Sequence, residues 1–136
     1  MSSVVDIRAA LEARLNAISP ALATSWENLN FAPSDETAPY QEIFLLMAEP
    51  TNAEYGPLFI ERGLLQVTLC YPLGAGPKDA MNRAQQVRDQ FKRGLSLPKN
   101  GVVVIIEKTP EIGIAQIDDA RYRLPVRVRW YANVVA

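Results

Sequence analysis

Apolar residues near the start of the chain recur every three or four positions, which is the period of one helix face. The recurring positions are Val4, Ile7, Leu11, Leu15 and Ile18. Ser3 can cap such a helix, with Asp6 three residues later, and Pro20 follows its end. The spacing therefore predicts an amphipathic helix that ends before Pro20.

A second helical pattern lies in the middle of the chain. Pro77 and Asp79 suit a first helical turn, and Gly94 suits a stop at the C-terminal end. The apolar stripe expected for this helix consists of Met81, Ala84, Val87, Phe91 and Leu95. We therefore predict a second amphipathic helix with a polar outer face.

Segments with strand composition lie on both sides of the second helix. They are residues 24–29 (a possible extra strand), 40–48, 58–71, 101–108, 112–117 and 121–135. Strands clustered before and after one central helix predict an α+β fold, with a mostly antiparallel sheet and two main helices packed on one side. A length of 136 residues predicts a single domain spanning residues 1–136.

The last strand-like segment has the clearest pattern in the chain. Successive side chains of a strand point to opposite faces, so this strand presents an arginine row on one face and an apolar row on the other. The arginine row is Arg121, Arg123, Arg127 and Arg129, and the apolar row is Tyr122, Leu124, Val126, Val128 and Trp130. The arginine row fits either a solvated face paired with neighbouring acids or a contact surface for another subunit or nucleic acid. Pro125 lacks an N–H and favours an edge strand or a bulge.

Two loops have a composition that favours extended, mobile backbone. Residues 31–39 and 50–57 each contain two prolines among small or acidic residues. We expect both loops to project from the domain.

Composition and charge narrow the classes of function. Hydrophobic residues make up 49% of the chain, and the net charge of −1 gives no global attraction to nucleic acid or anionic lipid. The charge is divided, however: residues 15–61 carry seven acids and no Lys or Arg, a net −7, whereas residues 62–136 carry twelve bases and six acids, a net +6. This division suits head-to-tail association of copies, although one copy could also fold its two halves together.

No catalytic, cofactor or metal site is predicted. The chain has no histidine, and Cys70 is its only cysteine, which argues against most hydrolase templates, a disulfide within the chain and a Cys-rich zinc site. Cys70 is best explained as a packed small residue. The charged residues among the first 18 also interrupt the apolar run that a signal peptide or membrane helix needs.

Three further candidates have structural explanations. Residues 72–78 could hold an anion at a helix start, but they lack the phosphate-loop spacing and Pro77 removes a donor, so we interpret them as a turn. Asp118 and Asp119 lie between two strands, where Asp is an ordinary turn residue. Nothing supports acid–base chemistry at the other carboxylate pair, Glu107 and Glu111.

The order and spacing of several motifs resemble a known family. They are residues 7–15 (IRAALEARL), 26–33 (WENLNFAP), Pro39 with Tyr40, 61–76 (ERGLLQVTLCYPLGAG), 87–94 (VRDQFKRG) and 122–128 (YRLPVRV). The sequence resembles the tail terminator-like (minor tail U-like) proteins of long-tailed phages and prophages over nearly its whole length. No single motif is a catalytic fingerprint.

The resemblance implies a structural virion protein. It implies a hexameric ring that caps the tail tube, ends its growth and presents a surface to head-completion proteins, with tail-tube protein as a second partner. It implies no enzymatic activity and no cofactor. DNA would pass through the channel without specific binding, and the protein would be found in the host cytoplasm during assembly and then in the virion tail.

We assign the contact between subunits to the divided charge. The expected interface residues are Arg121, Arg123, Arg127 and Arg129 on one side and Glu42, Glu49 and Glu54 on the other. The main alternative is a monomeric binding module that uses the arginine row for an acidic partner or nucleic acid. A small enzyme using Asp118 or Asp119 is the least favoured alternative.

Overall fold

The computed structural model describes residues 3–33, 37–52, 56–118 and 120–135. Within these residues there are two helices, α1 (Ser3–Asn16) and α2 (Lys78–Gln90). The strands are β1 (Ala23–Ser25), β2 (Tyr40–Met47), β3 (Leu58–Pro72), β4 (Ser96–Lys99), β5 (Val102–Ile106), β6 (Glu111–Ile112), β7 (Gln116–Ile117) and β8 (Arg121–Val135).

All eight strands belong to one curled sheet with the order β1-β2-β3-β8-β5-β4, while β6 and β7 also pair with β8. The central pair, β3 and β8, is antiparallel over 15 residues of each strand. The sheet is mixed rather than purely antiparallel, because β1 runs parallel to β2. The predicted α+β class is confirmed in this coarser form.

The core lies between the helices and one face of the sheet, which we call the inner face. The apolar row of β8 faces this core as predicted: its members from Leu124 to Trp130 are buried and Tyr122 is half-buried. Helix α1 contributes Ile7, Leu11 and Leu15, all fully buried. Burial of large apolar side chains is the main term that stabilises the fold, at ~1.5–3 kcal/mol each.

Gly63 makes room for the largest buried side chain. It lies directly opposite Trp130 in the β3–β8 register, and a Cβ at Gly63 would lie 2.4 Å from Cζ2 of Trp130. The same Cβ would lie 2.5 Å from the backbone oxygen of Leu46. The glycine therefore allows the indole ring and a neighbouring strand to approach β3 closely.

The helix stripes differ from the predictions in two places. Met81 is 52% exposed rather than buried, and Arg83 takes a core-facing position at 5% exposure. Arg83 can do so because its Nη1 donates to the backbone oxygen of Pro20 (2.5 Å) and to Oε1 of Gln86 (3.3 Å). In α1, Val4 is exposed, and the buried Asp6 accepts a hydrogen bond from Asn100 Nδ2 at 2.9 Å.

The strand predictions hold for the long strands and fail for the short ones. The possible strand at 24–29 is the three-residue β1, and the expected strand over 112–117 is two separate pieces, β6 and β7. Strand β4 was not expected, because its sequence SLPK carries a proline and no alternation. Helix α2 ends at Gln90, so Gly94 lies beyond the helix end rather than at it.

Of the two alternatives expected for Pro125, the edge strand is wrong, because β8 is central between β3 and β5. The bulge agrees with the register, since residues 113–115 lie opposite only two residues of β8, Leu124 and Pro125. The backbone oxygen of Pro125 accepts a hydrogen bond from the N–H of Gly113. The N–H and C=O of one strand residue point to the same side, so the missing N–H of Pro125 also faces the β6–β7 side. Pairing with β8 is interrupted at this position, between β6 and β7. Pro125 therefore removes no hydrogen bond between β8 and β3.

The turn predicted at residues 72–78 joins β3 to α2, with Gly74 and Gly76 at positive φ. The expected mobile loops are described only in part: their centres, residues 34–36 and 53–55, lie outside the described residues. Neither helix is long and apolar enough to span a membrane.

Candidate assembly surface

The sheet face turned away from the helices, which we call the outer face, carries the arginine row. Strand register places side chains of β2, β3 and β8 in common rows across this face. One row joins Tyr40, Cys70 and Arg123, and a row further along joins Leu46, Leu64 and Arg129. The two ends of the outer face differ in how their arginines are partnered.

Arg121 is held inside its own chain. It is only 4% exposed, its Nη1 donates to the backbone oxygen of Ala38, and its guanidinium lies 5.0 Å from the centre of the Tyr40 ring. Phe31 packs against the same ring at 5.1 Å between centroids. Arg121 thus connects the start of β8 to the segment that precedes β2.

Arg123 bridges two acids of its own chain. Its Nη1 lies 3.0 Å from Oε1 of Glu42, and its Nε donates to Oδ2 of Asp118 at 2.6 Å. Oδ1 of Asp118 in turn accepts the backbone N–H groups of Ala120 and Arg121. Asp118 is therefore a turn residue whose charge is matched by Arg123, in agreement with its structural interpretation.

These contacts and burial shift the pKa values of Asp118, Arg123 and Cys70 at this end of the outer face. The hydrogen bond from Arg123 and those from two backbone N–H groups lower the pKa of Asp118 to about 2. The bond to Asp118 also raises the pKa of Arg123, so this pair stays ionised at neutral pH. Burial raises the pKa of the Cys70 thiol to about 11, which keeps the thiol protonated and a poor nucleophile.

The other end of the outer face is open. Phe44 and Leu46 are 48% and 52% exposed, Leu64 is half-buried, and Arg129 is exposed beside half-buried Arg127. In the described part of the chain neither Arg127 nor Arg129 forms an ion pair or a side-chain hydrogen bond. We call this set of five residues the open patch. Exposed large apolar groups beside unpaired guanidinium groups are typical of a contact surface.

A shallow depression of about 260 Å³ adjoins the open patch, with Leu46, Leu64 and Arg129 among its lining residues. An ion pair also lines it, because Arg62 Nη1 lies 3.0 Å from Oε1 of Glu107. Glu107 therefore already has an ion-pair partner, Arg62, within its own chain. The depression is open to solvent and offers a docking surface rather than a closed ligand cavity.

The predicted interface residues divide accordingly. Arg123 and Glu42 pair with each other within their own chain, as the interpretation of a face paired with neighbouring acids expects. Arg121 differs from that interpretation, because it is buried against Tyr40. Arg127 and Arg129 lie together in the open patch, and Glu49 is exposed in the segment after β2. Glu54 lies outside the described residues. The role of these seven residues in a contact between subunits stays a prediction.

Sequence reasoning missed the apolar half of the open patch. The β2 sequence YQEIFLLM ends in consecutive apolar residues, so apolar side chains occupy both faces there. That break in alternation is the signal that could have identified Phe44 and Leu46 as exposed. No group of three or more Cys, Asp or Glu residues in the described ranges could hold a metal ion.

The outer face of the sheet thus carries an exposed apolar and basic surface, the open patch. The phage tail terminator protein family matches residues 6–130, and the chain belongs to this family. The family consists of structural proteins of phage tails rather than enzymes.

Comparison with solved structures shows that other proteins have the same fold. Nine chains of solved structures match significantly. One of them is 26% identical to this chain and superposes with a TM-score of 0.76. The match spans 100% of this chain and 98% of that one. No curated protein matches this chain.

Proposed function

We propose that this protein caps the phage tail tube as a hexameric ring, ends its polymerisation and presents the surface to which head-completion proteins bind. Membership of the tail terminator family is the observation that carries the proposal. The open patch supports it, since an exposed apolar and basic surface on a chain of net charge −1 suits contact with another protein.

Ending polymerisation needs only surface complementarity. A ring that binds the last tube ring on one side, and carries no copy of the tube surface on its other side, leaves the next tube subunit nothing to dock against. No bond is made or broken in this step. We accordingly propose that the protein has no enzymatic activity and needs no cofactor.

A channel through the ring must let DNA pass. We propose that acidic or neutral side chains line it, because arginines there would retain the phosphate backbone. The protein would assemble in the host cytoplasm and remain in the virion tail. The internal pairing of Arg121 and Arg123 weakens the alternative of a monomeric nucleic-acid binder, because only Arg127 and Arg129 of the row remain for phosphates.

The proposal is tested by adding the purified protein to growing tail tubes. One ring at a single end of each tube, together with arrest of further growth, is the expected result in electron micrographs. The variant Val128→Asp, which is expected not to fold because Val128 is buried, serves as the negative control. Decoration along the tube wall, or continued growth in the presence of excess protein, would contradict a capping role.

A further inference from the structure

A depression of about 360 Å³ lies between α2 and the segments that precede β1 and β2. It shares no residue with the open patch or with the depression beside it. Part of its wall is apolar and consists of Pro20, Ala21, Leu22 and Pro39. We call this depression the α2 pocket. It is open to solvent, and the function proposed above makes no use of it.

One face of α2 supplies most of the polar groups of the α2 pocket. Asp79, Asn82, Arg83 and Gln86 follow the spacing of one helix face, and all four line the depression. Three of them are exposed, whereas Arg83 is only 5% exposed. Tyr71, near the end of β3, is half-buried and lines the same depression. Apolar walls with a few convergent polar groups are typical of a binding site.

Arg83 is buried without a carboxylate partner. Within the described ranges it forms no ion pair, and its Nη1 donates to the backbone oxygen of Pro20 and to Oε1 of Gln86. Its Nε is buried and has no partner among the described residues, and neither has its Nη2. Burial lowers the pKa of Arg83, as expected for a cation removed from water without an anion beside it. A buried charge in this state favours the binding of an anion.

The two nitrogen atoms of Arg83 without a partner are suited to a carboxylate. Nε and Nη2 lie side by side on one edge of a guanidinium group, where they can donate two parallel hydrogen bonds to a carboxylate or a phosphate. Tyr71 adds a hydroxyl donor, because burial raises the pKa of its phenol and keeps it protonated. The α2 pocket can thus supply three donors to one anion.

Asp79 restricts the charge that this anion can carry. Its carboxylate is exposed, so water screens it, but it lies near enough to Tyr71 to raise the pKa of the phenol. Its repulsion increases with the charge of the ligand, which favours a singly charged carboxylate over a phosphate dianion. Arg83 is the only base among the described residues that line the pocket, so a nucleic-acid backbone would gain little there.

The apolar wall favours a carboxylate that belongs to a protein segment. A free acid as small as acetate would leave Pro20, Leu22 and Pro39 uncovered, whereas a segment can cover them with its own apolar side chains. Asn82 is exposed beside Arg83, and its side chain forms no hydrogen bond in the part of the chain that the structure describes. Its amide can therefore bind the backbone of such a segment.

We propose that the α2 pocket binds an acidic side chain of a segment of another protein, with the carboxylate on Arg83 and the neighbouring apolar residues of the segment against Pro20, Leu22 and Pro39. The carboxylate contacts Nη2 of Arg83 first, because Nε is shielded from water in the free protein. The Tyr71 hydroxyl donates to the same carboxylate. This site is independent of the capping role, which stands or fails without it.

The test is an NMR titration of the ¹⁵N-labelled chain with the blocked tripeptide leucyl-glutamyl-leucine, observed at the Nε–H signal of Arg83. The variant Arg83→Lys identifies that signal by its loss. The comparison ligands are blocked leucyl-glutaminyl-leucine, acetate and inorganic phosphate. We expect the glutamyl peptide to bind about fivefold or more tightly than each of them, because only this peptide has both the carboxylate and the apolar neighbours.

Each comparison ligand can overturn the proposal. No shift of the Arg83 signal with the glutamyl peptide, or a ratio below about fivefold against the glutaminyl peptide, would show that the carboxylate is not recognised. Binding of acetate as tight as that of the glutamyl peptide would assign the pocket to a free acid. Tighter binding of phosphate would assign it to a phosphate group.

Variants that leave Arg83 in place give matched controls. Asp79→Asn removes a repulsive charge and should tighten binding of the glutamyl peptide about twofold, whereas Asp89→Asn, on the same helix but outside the pocket, should leave it unchanged. Tyr71→Phe should weaken binding about fivefold with little change in melting temperature, because its hydroxyl has no hydrogen-bond partner among the described residues. Equal effects of the two Asn variants, or unchanged binding in Tyr71→Phe, would overturn the proposal.

Discussion

The four arginines of one strand face have different environments although the sequence pattern treats them alike. Alternation along β8 correctly places all four opposite the apolar row, because side-chain direction is a local property of a strand. Their partners come from elsewhere in the chain: Arg121 meets Ala38 and Tyr40, and Arg123 meets Glu42. Such contacts depend on the register of β2, β3 and β8, which the sequence of β8 alone does not contain.

The Asp118–Arg123 pair predicts a defined response to acid. The folded-state pKa of Asp118, about 2, is below its ordinary value of 3.8, so its ionised form stabilises the fold at any pH above about 4. That contribution is lost as the pH falls from about 4 to 2. NMR titration of the Asp118 carboxyl should therefore give a midpoint near pH 2.

The matched control for this titration is Arg123→Gln, which removes the ion pair and should move the midpoint upward. Asp118→Asn should make the free energy of unfolding less dependent on pH between 4 and 2 than in the wild type. An unchanged midpoint in Arg123→Gln would show that Arg123 does not hold the carboxylate.

Gly63→Ala should destabilise the fold without touching the outer face. The added Cβ would clash with the Trp130 ring and with the backbone oxygen of Leu46. The backbone of Leu46 cannot move away without a cost in folding free energy. Overpacking of this kind costs ~1–3 kcal/mol. Thermal unfolding should show a clear fall in melting temperature, whereas Gln66→Ala, on the outer side of the same strand, should change it little. Equal melting temperatures for both variants would contradict the close approach.

At the scale of whole elements, the sequence predicts the long strands well and the interrupted ones poorly. The bounds predicted for β8 agree with the structure because 15 residues of alternation leave little freedom. The pieces β6 and β7 have two residues each, too few for a period, and they exist because β8 offers them hydrogen-bond partners. Met81 and Arg83 show the same limit in α2, where the Pro20 carbonyl makes a buried arginine possible.

The two faces of β8 should respond differently to new charges. Val128 is fully buried, so Val128→Asp places an unpaired carboxylate in the core and should abolish folding. Arg127→Glu and Arg129→Glu change solvent-accessible side chains and should alter the free energy of unfolding by only ~0.5 kcal/mol or less. Circular dichroism melting measures both effects.

The same arginine variants should fail in assembly if the open patch is a contact surface. Complementation of tail assembly by Arg129→Glu is the corresponding functional measurement, and loss of infectious particles is the expected outcome. A variant that melts like the wild type and still builds infectious particles would show that Arg129 lies on a merely solvated face.

At the scale of the whole molecule, the divided charge predicts weak association in solution. Contacts between an acidic and a basic surface are screened by salt, so the purified chain should be monomeric or weakly associating at low concentration and form rings only at high concentration or on tail tubes. Sedimentation at several salt concentrations measures this. A tight, salt-insensitive dimer at nanomolar concentration would be incompatible with it.

The sequence alone identified the two arginines of the open patch but not its apolar residues. Arg127 and Arg129 stand out in a regular alternation, whereas Phe44 and Leu46 look like core residues until the register with β3 and β8 places them on the outer face. The exposure of Ile114 and Ile117 could not be predicted for a different reason: the strand expected over residues 112–117 is two pieces of two residues each, which are too short to show a period.

The length of phage tails made without this protein tests the capping role most directly. Electron micrographs of such particles, compared with particles in which the protein is supplied again, should show tails that are overlong or lack heads, and normal joined tails after restoration. Tails of normal length joined to heads in the absence of the protein would contradict the account.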